Sequence, residues 1–111
     1  AAKELIERSV KEVVSLNNEA VKKAKTGAYT EAAHMLTDAA LRLPNNLQIV
    51  SNAALSILMD MFVNGFAPAK ANQARIFQDA VSKQNKQYPK LTEIAALQSK
   101  VHHKYNMDST A

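Results

Sequence analysis

The sequence contains no cysteine and no tryptophan, and it has only two glycines and three prolines in 111 residues. Without cysteine there is no disulfide framework, no thiol nucleophile and no thiolate metal site. Average usage would place about 13 glycines and prolines in a chain of this length. A chain so short of turn residues cannot make the many reversals of a β-sandwich or barrel, and must be mostly long helix. Long apolar runs are missing too. The longest, from Ala53 to Val63, is interrupted by Ser56 and Asp60 and falls short of the roughly 20 residues that cross a bilayer. The opening, with Lys3, Glu4, Glu7, Arg8, Lys11 and Glu12, leaves no apolar centre for a secretion signal, so the expected location is the cytoplasm.

What is abundant is alanine, the commonest residue in a chain whose hydrophobic share is 47%. That share excludes a disordered chain, and the length suits one domain with one modest core. The Ala1-Ala2 start, with no initiator Met, suggests a piece cut from a longer protein.

Apolar residues recur at three-and-four spacing in five segments, which predicts five helices. The first covers Ala2 to Lys25 and ends at Gly27, where a left-handed residue closes a helix. The second runs from about Thr30 to Leu43 and stops at Pro44-Asn45-Asn46, which also offers a cap for the next. The third, Leu47 to Val63, is the most apolar and ends at Asn64-Gly65. Pro68 suits the first turn of a fourth, reaching about Lys86. Tyr88-Pro89 precedes a fifth, Lys90 to Lys104, and residues 106–111 read as a frayed tail. Short turns make consecutive helices antiparallel hairpins in a single domain, an all-α fold.

Both glycines stand between two helices, at the same point of successive hairpins. Around the first lie Gly27, Tyr29, Glu31 and Ala32, then Leu36, Ala39 and Pro44, with Leu16 and Ala20 upstream. This pattern resembles the tetratricopeptide repeat, a helix–turn–helix unit of about 34 residues. The second unit matches in its first helix through Val50, Ala54 and Ile57, then departs. Its stretch from Gly65 to Pro89 is longer than that from Gly27 to Pro44 by about two helical turns. Lys23 and Glu19 also depart from the family's apolar preferences. The resemblance covers about residues 13–104. It implies a right-handed α-α superhelix of about two repeats plus a capping helix. Residues 1–12 would be a linker or extended first helix, 13–46 one repeat, 47–89 a degenerate second and 90–105 the cap. Small residues at Ala20, Ala32 and Ala39 fit helix crossings that a larger side chain would force apart.

The chain also resembles the helical tails that follow receiver domains in some bacterial response regulators. The shared runs are Leu16-Asn17-Asn18-Glu19-Ala20, Leu43-Pro44-Asn45-Asn46 and Tyr88-Pro89-Lys90. That likeness implies an adaptor or output part of a two-component signalling protein.

Function in such repeats is implied on the concave surface built by the first helix of each unit. Here it would comprise Asn17, Val21, Ser51, Asn52, Leu55 and Met59, with Asn52 placed to bond the backbone of a bound peptide. The alternative for Asn52 is a bridge between helices. The lysine-rich clamp of some relatives is missing, since Asn17 and Val21 stand where it needs Lys and Asn.

No phosphate loop, Gly-x-Ser-x-Gly or His-Glu-x-x-His is present, so neither an enzyme nor a cofactor is expected. The histidines are His34, His102 and His103, and adjacent helical residues point about 100° apart, so no metal site is expected.

The net charge of +4 is uneven. Between Ser82 and Lys104, Lys83, Lys86, Lys90, Lys100 and Lys104 oppose only Glu93, and the rest of the chain sums to zero. This basic end admits a nucleic-acid-binding reading, yet it contains no arginine and few stacking rings. The expected partner is therefore a protein or peptide. Two repeats are few for a solenoid, which favours self-association through an end, or an extra layer formed by the long first helix with its Leu5 and Ile6.

Overall fold

The structure, a computed structural model, describes residues 2–105, with side chains described from residue 10 onward. It is built of five helices: α1 Ala2–Lys25, α2 Tyr29–Arg42, α3 Leu47–Asn64, α4 Pro68–Gln84 and α5 Lys90–Lys104. The fold is all-α, of helical hairpins. The boundaries differ from the sequence expectation by about a residue, except that α4 stops at Gln84. There the Asn85 side chain accepts from the Gln87 amide at 3.0 Å, turning the chain toward α5.

Several helix ends have an identifiable cause. At α1 the Gly27 amide donates to the Ala24 carbonyl and the Ala28 amide to that of Lys23, both at 3.0 Å. Gly27 has φ +92°, the left-handed geometry this double closure requires. Three lysines in the last turn, Lys22, Lys23 and Lys25, lie at the negative end of the helix dipole. The Asn46 side chain caps α3 by accepting from the Ile49 amide at 3.1 Å. Gly65 follows α3 at φ 125° and ψ 145°, a region open essentially to glycine alone. The two glycines thus close their helices differently. Pro68 opens α4, where a missing amide proton costs nothing.

Helix α3 is the centre. It packs against α2, α4 and α5, while α1 packs chiefly on α2 and only lightly on α3. By length and composition alone α3 is long and apolar enough to cross a membrane, but 56% of it is buried inside the protein. In the fold its Val50, Ile57, Leu58 and Met61 lie in the protein core, beside a buried Asp60. Ala20, Ala32, Ala39, Ala53 and Ala54 are fully buried, as close helix approach demands, and Leu36 is buried among them. Leu16, Tyr29 and Gly65 are half-buried; Gly27 and Pro44 are exposed.

The molecule measures 55 × 30 × 22 Å. Helix α1, at 24 residues, outruns the 14 of the α2 helix it packs on. The expected extra layer through Leu5 and Ile6, and the tail at 106–111, lie outside the described side chains and residues.

Candidate functional site: a groove over α1, α3 and α5

Packing on several sides of α3 leaves one stripe of it uncovered. That stripe is Asn52, Leu55, Met59 and Phe62, all half-buried and spaced three and four apart. Helix α1 borders it with Asn17 and half-buried Val21, and Val14 is exposed one turn before Asn17. Helix α5 borders the other side with Lys90, Leu97 and Lys104, which recur every two turns and so share one face.

The three helices are tied across this groove by one polar row. Lys90 Nζ donates to Asn52 Oδ1 at 2.6 Å, and Asn52 Nδ2 donates to Asn17 Oδ1 at 3.2 Å. Asn17 is only 6% exposed, and its amide donates onward to Asn18 Oδ1 at 3.5 Å. The cation therefore polarises a chain of amides and meets no carboxylate along it.

At the far end, α5 closes over the C-terminus of α3, whose own last turn contains no basic residue. Lys104 Nζ donates to the Phe62 carbonyl and sits 4.5 Å from the Phe62 ring centroid. The Tyr105 hydroxyl donates to the Met61 carbonyl at 2.7 Å, and its ring lies 6.2 Å from that of Phe66. The Lys104 bond satisfies the Phe62 carbonyl that the helix end leaves open, while the Met61 carbonyl takes Tyr105 as a second donor beside the Gly65 amide.

Of the six residues expected on the concave surface, Asn17 (itself buried) and Asn52 are hydrogen-bonded to each other, Leu55 and Met59 follow Asn52 along α3, and Val21 lies one turn beyond Asn17 on α1. Ser51 is the exception. It is 0% exposed and faces the core, with an Oγ that finds no hydrogen-bond partner, so it has no surface to offer a partner. The basic end also divides. Lys90 and Lys104 are engaged with α3, whereas Lys83, Lys86 and Lys100 are exposed at the surface.

Sequence reasoning missed a second polar centre. Asp60, in the most apolar helix, is 1% exposed and gathers three partners from three elements. Thr30 Oγ1 and Asn64 Nδ2 donate to its Oδ1, the latter at 2.9 Å, and Lys70 Nζ donates to its Oδ2 at 2.7 Å. Burial pushes the Asp60 carboxyl up, but the hydrogen bonds from Lys70, Thr30 and Asn64 and the Lys70 charge outweigh it, holding the group below its ordinary value. The available signal was one acid isolated in an apolar helix with Asn64 one turn on, but its other partners, Thr30 and Lys70, lie 30 residues before and 10 after it.

Comparison of the chain with protein-family models, with characterised proteins and with solved structures finds no match.

Proposed function

We propose that the protein is a non-catalytic interaction module that holds a peptide or helix of a protein partner in the α1–α3–α5 groove. One observation carries the reading: the uncovered stripe of the central helix pairs apolar Leu55, Met59 and Phe62 with a row of amides ending in a lysine. Apolar side chains of a partner would lose water against Val21, Leu55 and Met59. Lys90 has three donor hydrogens and spends one on Asn52, so a carbonyl or carboxylate of the partner finds a donor there. The repeat resemblance, with Gly27, Ala32 and Pro44 at family positions, supports the same use of the first helix of each unit. It also suggests the setting, an adaptor or output part of a bacterial two-component protein in the cytoplasm.

Selection of peptides from a random library against the intact chain, followed by calorimetry, tests this. The selected peptides should bind the wild type and lose at least ten-fold in affinity to Met59→Glu and Lys90→Ala. Peptides indifferent to both changes would sink the groove as the site. The alternative, a basic nucleic-acid binder, rests on Lys83, Lys86 and Lys100. It requires duplex affinity that falls steeply with salt, and the proposal requires none.

A further inference from the structure

A different face of α3 floors a second concavity, independent of the groove. Helices α2 and α4 both pack on α3 without packing on each other. The cleft they leave contains a cavity of about 230 Å³, with apolar walls from Ala33, Ile57 and Ala69. An engineered apolar cavity of about 150 Å³ suffices to bind benzene. The polar lining is the Asp60–Lys70 pair together with His34, Thr37 and Gln73.

We propose that this cavity binds a small uncharged molecule that has a primary carboxamide or a hydroxyl on an apolar body. The pair at its end is neutral as a whole, and its hydrogen-bonding capacity is only partly spent. Asp60 Oδ1 accepts from both Thr30 and Asn64, while Oδ2 accepts from Lys70 alone. Asp60 is only 1% exposed, so the acceptors a ligand meets are the Thr37 hydroxyl and the Gln73 side-chain carbonyl beside the pair. Lys70 gives Asp60 one of its three donor hydrogens, and its side chain is still 40% exposed. A neighbouring acceptor and donor match the N–H and C=O of an amide, or the two roles of a hydroxyl. A charged ligand would lose hydration against a pair that is neutral as a whole, its attraction to one member offset by repulsion from the other, so the site favours an uncharged one.

The apolar body has a direction. Leu41 lies one turn beyond Thr37 on α2, and Ile76 nearly one turn beyond Gln73 on α4. They are the two most exposed large apolar side chains among the described residues, at 66% and 50%. Neither lines the cavity itself; they follow its lining residues along α2 and α4 on the way to the point where Gln84 Nε2 donates to the Pro44 carbonyl at 3.2 Å.

Titration of the methyl-labelled protein with benzamide, benzoate and benzylamine, read by carbon–proton correlation spectra, tests the site. Benzamide should shift the Ala33 and Ile57 methyls saturably, and benzoate and benzylamine should bind at least ten-fold more weakly. Ala69→Trp, at an exposed position of the cleft, and Thr37→Leu should each weaken benzamide at least ten-fold with the melting temperature kept. Unmoved methyls, equal binding of the charged probes, or full binding in both variants would overturn the proposal. The peptide-binding groove stands or falls separately, because none of its residues lines this cavity.

Discussion

Lys90 at the start of α5 donates a 2.6 Å hydrogen bond to Asn52 in the first half of α3, 38 residues away. Through Asn52 it is joined to the nearly buried Asn17 of α1. One lysine thus links the last helix to the first across the central one, and it does so on the face proposed to meet a partner.

Removing the middle of that row strands its ends. Asn52→Leu leaves Asn17 without its cross-helix donor, and a buried polar atom left unpaired costs about 1–3 kcal/mol. Lys90→Met removes only a donor at the rim and should cost less than half as much. Urea denaturation of the two variants, compared at equal slope, checks the order.

The Asp60–Lys70 pair should show the asymmetry of buried charges. Lys70→Met leaves the carboxylate buried and under-compensated; Lys70 is partly exposed, so the cost is about 2 kcal/mol, below the full range for buried pairs. Asp60→Leu combined with Lys70→Met should recover much of the loss, because no charge then remains buried. A double-mutant cycle by denaturation measures the coupling.

The same carboxylate predicts a pH dependence. Its folded pKa lies below the ordinary 3.8, so its stabilisation is present above that value. It is lost as pH falls from about 4 through the lower folded value. Melting temperatures across this acid range should fall more steeply for the wild type than for the Asp60→Leu/Lys70→Met double variant.

Ser51 offers the opposite case. Its Oγ is buried with no partner, so Ser51→Ala removes an unsatisfied hydroxyl and leaves only a small void. The expected change is from neutral to about 1 kcal/mol more stable, read as a raised melting temperature. A clear loss would show that the hydroxyl is paired in solution.

At the hairpin turns, alanine at Gly27 must adopt φ +92° although no atom obstructs its Cβ. The cost is therefore backbone strain alone, about 1 kcal/mol. Gly65 at φ 125° lies in a region closed to other residues, and its replacement should cost more, about 1–3 kcal/mol. Thermal unfolding of the two single variants gives the ranking.

The helices and their punctuation were legible along the chain. Gly27, Asn46, Gly65 and Pro68 act through local backbone chemistry, so a linear reading finds them. The repeat resemblance named Asn17, Asn52, Leu55 and Met59 together; the last three share one stripe of α3, and Asn17 of α1 meets Asn52 through a cross-helix hydrogen bond. It named Ser51 as well, but one residue along a helix is a turn of about 100°, enough to move it from groove to core. Which lysines are engaged, and where the buried acid finds its counter-charge, was settled by packing in three dimensions. Lys90, Lys104 and Lys70 are alike as letters in the chain. Their partners, the Asn52 amide, the Phe62 carbonyl and the Asp60 carboxylate, meet them through contacts between helices. Such contacts join residues that no local spacing connects.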